Sequence, residues 1–191
     1  MDMHPDDQFH PATSADPFWT ETCWFTFAVP ERKLSGQLYP FFRRNQGITS
    51  GACILWDDSG HQLHDCIYHK NLWHLPIPED QELTDIRLAN GLHYKCLEPL
   101  EKYELHYVDA DREEVEIHLT YDAICEPNRL GESHLDQPGR YSGTIRIDDE
   151  TIKVDAFGMR DRSWGARSQI GPSLHPAAPN ERGGYTYATM S

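Results

Sequence analysis

The chain has 191 residues with 17 Lys or Arg against 31 Asp or Glu, which gives a formal net charge of -14 at pH 7. This excess of negative charge repels phosphate backbones and anionic lipid headgroups, so it argues against nucleic acid or a membrane surface as the partner. The sequence contains no membrane-length apolar run, and its acidic first residues lack the apolar core of a signal peptide. We therefore predict a cytoplasmic globular protein without a membrane span.

The histidines and cysteines do not show a metal-binding pattern. His61, His64, His69, His74 and His93 lie in one part of the chain, but their spacing matches neither a helical H-E-x-x-H motif nor a Cys-His zinc motif. The five cysteines include no C-x-x-C pair and lie among apolar residues, as reduced cysteines do. We predict no metal site and no cofactor.

The first half of the chain begins with a Pro-, Asp- and Ser-rich segment, and we expect residues 1–18 to form a flexible leader. Residues 24–29 are aromatic and β-branched and are followed by Pro30, which predicts a strand. Residues 51–56 and 61–68 flank the turn sequence Asp-Asp-Ser-Gly, which predicts a hairpin.

The second half alternates apolar and polar residues over short runs. Residues 103–107 and 115–121 show this period of two around a loop at 109–112, and residues 141–147 and 152–156 repeat it around 148–150. A period of two places one face of a strand on a core and the other in water. Many short strands with frequent turn signals predict an all-β barrel or sandwich, and a barrel of about eight strands can enclose one small ligand.

The least periodic segment is F-G-M-R-D-R-S-W-G-A-R at residues 157–167, which combines one carboxylate, three guanidinium groups and a tryptophan. Two interpretations stay open for Asp161. It either faces a ligand or belongs to a structural Arg-Asp-Arg cluster in which neighbouring cations keep it ionised. A cavity beside Asp161 would favour the first interpretation.

Residues 134–140, the hairpin after them and G-M-R-D-R-S-W-G-A-R together resemble the lipocalin-like two-barrel superfamily of carotenoid 1,2-hydratases (hydroxyneurosporene synthases) and AttH-type proteins. The segment is most similar to a bacterial branch with the signature R-D-H-S-W-G-x-R, although Arg162 replaces its histidine. The resemblance implies an antiparallel barrel at 19–156, and a junction motif with the start of a second barrel at 157–191. We expect the chain to be a fragment that lacks most of the second barrel.

The same resemblance implies a protein that binds or transforms a hydrophobic small molecule, such as a terpenoid, steroid or polyketide, by acid-catalysed hydration or isomerisation. Asp161 is then the candidate acid. The candidate ligand-binding residues are Arg160, Trp164 and Arg167, together with Trp73 and His69 from a second aromatic and polar region at 68–76. The alternative is a non-catalytic ligand-binding module. The sequence leaves the ligand and the oligomeric state open.

Overall fold

A computed structural model describes residues 3–59, 63–109, 111 and 114–166. These residues form antiparallel strands joined by turns and short 3-10 segments, without an α-helix. The strands are β1 (Trp19–Val29), β2 (Leu34–Arg43), β3 (Ile48–Trp56), β4 (Tyr68–Pro76), β5 (Asp85–Arg87), β6 (Leu92–Glu98), β7 (Lys102–Val108), β8 (Val115–Ala123), β9 (Asn128–Arg129), β10 (His134–Ile147) and β11 (Glu150–Ala166). The 3-10 segments are Pro5–Asp7, Pro30–Arg32, Arg44–Gln46 and Leu63–Asp65. In this part of the chain, no helix has the length and apolar character needed to cross a membrane.

All the strands belong to one sheet, in the order β4-β3-β2-β1-β11-β10-β8-β7-β6-β5, with β9 beside β10. The sheet curls into a half-barrel, which brings the edge strand β4 close to the end of β7. Tyr68 on β4 contacts Tyr107 on β7 through their hydroxyl groups, and it also donates a hydrogen bond of 2.7 Å to Asp109. The prediction of an all-β, lipocalin-like antiparallel barrel fold is confirmed.

The alternating runs of the sequence form two hairpins that lie next to each other in the sheet. β7 pairs with β8, and β10 pairs with β11 in continuous register from His134 opposite Ser163 to Ile147 opposite Glu150. The tight turn after β10 places Asp148 at φ 50°, a left-handed conformation that aspartate adopts more readily than most residues. Both hairpins were predicted from the period of two and are confirmed.

The hairpin predicted from 51–56 and 61–68 forms between β3 and β4, but its second strand lies later in the chain than predicted. Residues 61 and 62 lie outside the described residues. Leu63–Asp65 is a 3-10 segment, and β4 begins only at Tyr68 before pairing antiparallel with β3. The polar run around His64 has no alternation that would give a strand a buried face, so a longer connection forms between the two strands.

Aromatic rings fill the inner face of the half-barrel. The buried rings of Phe25, Tyr94, Tyr103, Tyr121 and Tyr141 contact one another, with the centroids of Tyr121 and Tyr141 5.1 Å apart. Contacts of this kind add to the stability gained by burying the ring surfaces. The interior next to these rings is therefore a packed core.

The segment predicted to be a flexible leader is described from residue 3 and contacts this core. The Phe9 ring packs edge-on against Phe42 with a centroid distance of 5.1 Å. Asp7 is fully buried, and its carboxylate accepts hydrogen bonds from the Tyr103 hydroxyl at 2.6 Å and the Leu100 amide at 2.8 Å. The N-terminal segment, defined here as residues 4–10, thus covers one side of the core.

Candidate functional site

The motif at 157–166 continues strand β11 and presents alternate side chains to its two faces. Arg160 lies opposite Phe25 and Arg162 opposite Cys23, both of which are core residues of β1. Because side chains alternate along a strand, the two arginines point to the core side and Asp161 points to the other. Arg167, a predicted ligand contact, lies outside the described residues, as does most of the segment 157–191 that was predicted to hold the junction motif and the start of a second barrel.

Arg160 is fully buried and binds the N-terminal segment. Its Nη2 donates a hydrogen bond of 2.6 Å to Asp7 Oδ1, and its guanidinium carbon lies 4.4 Å from the centroid of the Tyr103 ring. Charge-assisted contacts of this kind are strong where water is excluded. The structure therefore places Arg160 in the core rather than at a solvent-accessible surface.

Arg162 is likewise fully buried and makes the second ion pair of the motif. Its Nη2 donates to Glu21 Oε2 at 2.8 Å and to the Gln8 carbonyl at 2.9 Å. Burial raises the pKa of Glu21, but hydrogen bonds from His10 and the charge of Arg162 outweigh it, so the pKa lies below its usual value. Glu21 is thus held ionised between a histidine and an arginine.

This ion pair also positions Trp164. The backbone amide of His10 donates a hydrogen bond of 3.1 Å to Glu21 Oε1, and His10 Nδ1 lies 3.1 Å from Glu21 Oε2. The imidazole of His10 then stacks on the indole of Trp164, with centroids 3.7 Å apart and an angle of 8° between the planes. One face of Trp164 is therefore covered by the N-terminal segment.

Asp161 lies on the outer face of the sheet in a cluster with two residues of β10. Its Oδ2 is 3.0 Å from His134 Nε2, and the same nitrogen is 3.3 Å from Asp136 Oδ1. All three side chains are partly buried. This His–Asp cluster, His134 with Asp136 and Asp161, holds one imidazole against two carboxylates, an arrangement that can orient the ring, pass a proton or ligate a cation.

A groove of about 900 Å³ opens where β10 and β11 meet the N-terminal segment. Its apolar wall contains Pro11, Trp19, Leu130 and Trp164, and its polar side includes His134. Asp161 is not among the lining residues, although His134 links it to the groove. Within the described part of the chain, the buried Nε1 of Trp19 has no hydrogen-bond partner.

The second predicted contact region does not join this groove. Trp73 is 49% exposed and packs edge-on against Phe41, and His69 lines a separate cavity of about 300 Å³ with Lys70 and Asp109. Both belong to β4, and three strands separate β4 from β11 in the sheet. Burial raises the pKa of Asp109, but hydrogen bonds from Lys70 and Tyr68 lower it to about 2, so this cavity borders a stable ion pair.

Sequence reasoning missed several residues of the site. His134 and Asp136 carry a usable signal, because residues two apart on a strand share a face. Asp7 and Glu21 carry no such signal, because the arginines that they bind lie 153 and 141 residues away along the chain. His10 carries none either, because its role is to stack on the distant Trp164.

Among solved structures, the chain is similar to a protein described as AttH from Nitrosomonas europaea. The TM-score is 0.58 at 17% identity, and the match covers 80% of this chain and 53% of the other. The chain is also similar to the crystal structure of CghA with Sch210972, with a TM-score of 0.45, 13% identity, and 78% and 46% coverage. The chain thus spans about half the length of these structures. The likeness to AttH shows a shared fold, and the hydratase part of the resemblance stays a prediction.

No curated protein matches the chain. A family model described as "Domain of unknown function (DUF7064)" matches residues 3–175, which is most of the sequence. The protein therefore belongs to this family.

Proposed function

We propose that the protein binds a hydrophobic small molecule in the groove beside Trp164. The observation that carries the proposal is the groove's lining, in which two tryptophans, a leucine and a proline lie beside the polar side chains of His10, Thr13, Glu132, Ser133, His134 and Ser163. Small-molecule sites typically have volumes of about 300–1,000 Å³, and the volume of this groove lies in that range.

The packing of the core supports this location. Because tyrosine and phenylalanine rings fill the inner face of the half-barrel, a ligand there would have to displace buried side chains. The groove needs no such displacement.

A neutral apolar dye tests the proposal without knowledge of the natural ligand. We expect N-phenyl-1-naphthylamine to bind the full-length chain with a rise in fluorescence, and Trp164→Ala to weaken this binding at least tenfold. Removing the indole takes away a large apolar side chain that lines the groove, and about 1.4 kcal/mol of lost contact already gives a factor of ten. Titration of dye fluorescence measures both dissociation constants.

Trp73→Ala is the matched control, because it removes an exposed tryptophan that lies outside the groove. Its dissociation constant is expected to equal that of the wild type. Equal binding by wild type and Trp164→Ala, or a loss confined to Trp73→Ala, would contradict the proposed location.

We further propose that Asp161 acts as the acid on the bound molecule through His134. Protonation of an alkene carbon leaves a carbocation, water adds to it, and the oxygen's extra proton returns to the carboxylate, so the net change is addition of water. The face of Trp164 can stabilise such a cation by about 1–2 kcal/mol when water is excluded. The contact of Asp161 with His134 supports this route, because His134 lines the groove.

Asp161→Asn is expected to lower turnover of the compound that co-purifies with the full-length chain by at least about 100-fold, the usual contribution of a general acid. Dye binding is expected to stay unchanged. Asp155→Asn is the control, because Asp155 shares this face of β11 and pairs with the exposed Arg140. Mass spectrometry of substrate and product gives the rates. Unchanged turnover in Asp161→Asn would exclude the acid role and favour the non-catalytic binding module.

A further inference from the structure

We propose that His134, Asp136 and Asp161 form a binding site for a divalent transition-metal cation such as Zn²⁺. His134 and Asp136 are two residues apart on β10 and therefore share a face of the sheet. Asp161 lies directly opposite Asp136 on the neighbouring strand β11. Two adjacent strands thus bring one imidazole and two carboxylates together on a rigid part of the sheet.

The distances from His134 to the two carboxylates fit donors of one shared ion. His134 Nε2 lies 3.0 Å from Asp161 Oδ2 and 3.3 Å from Asp136 Oδ1. When two donors each lie about 2.1 Å from a metal, a donor–metal–donor angle between the octahedral and tetrahedral values places them about 3.0–3.4 Å apart. The three donor atoms, one from each residue, all lie within 4.8 Å of one another. Small side-chain rotations would bring all three into contact with one ion.

The hydrogen bonding of Asp136 within the cluster is also incomplete. One imidazole nitrogen faces carboxylate oxygens from both aspartates, and a single N–H at this nitrogen cannot make a well-directed hydrogen bond to each. Within the described residues, the buried Asp136 Oδ1 accepts no hydrogen bond from any group. A buried acceptor without a donor is costly, and a cation bound between the three donors removes that cost.

The donor set selects the class of ion. Ca²⁺ prefers six to eight oxygen ligands and Mg²⁺ retains several waters, whereas a nitrogen ligand with two carboxylates suits zinc and other divalent transition metals. Three protein ligands also leave at least one coordination position for water or a ligand oxygen, as in catalytic rather than structural zinc sites.

This inference goes beyond the proposed groove function and does not depend on it. A cation bound here would occupy Asp161 Oδ2, so the acid role proposed for Asp161 applies to the metal-free protein. Metal binding and dye binding are measured separately, and failure of one leaves the other standing.

Calorimetric titration of the metal-free, untagged full-length chain with Zn²⁺ tests the site. Cys66→Ser and Cys125→Ser are introduced into every sample, because these two thiols are not fully buried and can bind zinc themselves. We expect one Zn²⁺ per chain, and a dissociation constant at least tenfold higher in His134→Ala, Asp136→Asn and Asp161→Asn. His118→Ala is the control, since His118 contacts the single carboxylate of Glu116 on the protein surface, and it is expected to bind like the parent.

Broadening of amide NMR signals by Mn²⁺ gives a second test that needs no substitution in the cluster. The site predicts that broadening at low Mn²⁺ concentration centres on residues 134–136 and 160–162. The proposal is overturned if the parent chain binds no Zn²⁺ at millimolar concentration, if His134→Ala binds Zn²⁺ as tightly as the parent, or if broadening centres on another part of the chain.

Discussion

Replacing Asp7 with alanine is expected to lower the free energy of unfolding by about 3–5 kcal/mol, because it leaves the buried guanidinium of Arg160 without its counter-charge. Both side chains of this ion pair are fully inaccessible to water. The Tyr103 hydroxyl and the Leu100 amide would also lose their acceptor. Urea unfolding followed by circular dichroism measures the change.

Two variants separate the buried pair from a general effect of charge. Asp155→Ala breaks the exposed pair with Arg140 and is expected to cost at most about 1 kcal/mol. Arg160→Met in the Asp7→Ala background removes the unpaired charge and is expected to recover much of the lost stability. An Asp7→Ala protein as stable as Asp155→Ala would show that the N-terminal segment does not dock on Arg160 in solution.

Glu21→Ala is expected to lower the free energy of unfolding by a similar amount, about 3–5 kcal/mol, because it leaves the fully buried Arg162 without its counter-charge. It also removes the carboxylate that holds His10 against Trp164, so we expect weaker dye binding as well. Glu150→Ala, which breaks an exposed pair with Arg32, is the matched control and should change neither property appreciably.

The pH dependence of stability gives an independent check on Glu21. Its pKa is lowered in the folded protein from a usual value of 4.5. Stability from this group is therefore fully present above pH 4.5 and declines as the pH falls through the lower folded-state value. Wild type should accordingly lose more stability than Glu21→Gln below pH 4.5. Parallel pH curves for the two proteins, or unchanged dye binding in Glu21→Ala, would contradict the role given to Glu21.

The extent to which sequence predicts this fold depends on the range of the interactions. The strands β7 and β8, residues 141–147 of β10 and residues 152–156 of β11 follow from local alternation, which one buried face imposes on nearby residues. The extension of β11 through 157–166 was not evident, because arginines and glycines occupy positions where a core face normally carries apolar residues. Its burial depends on carboxylates supplied by distant parts of the chain.

The candidate site likewise combines residues that the local sequence indicates with residues that only long-range packing brings together. Trp164 and Asp161 stand out by composition, and both remain candidates for the groove and the cluster beside it. The roles of Arg160 and Arg162 could not be foreseen, since Asp7 is 153 residues from Arg160 and Glu21 is 141 residues from Arg162. His69 and Trp73 were predicted as ligand contacts because the segment 68–76 combines aromatic residues with hydrogen-bond donors, yet strand order separates them from the groove.

The central claim is that a ligand occupies the groove beside Trp164, while the buried arginines of the motif hold the N-terminal segment. Intermolecular nuclear Overhauser effects between N-phenyl-1-naphthylamine and the full-length chain test it most directly, because they locate the dye on the protein. We predict contacts with the side chains of Trp164 and Leu130. Contacts instead with the core ring of Tyr121, or with Trp73 on β4, would contradict the claim.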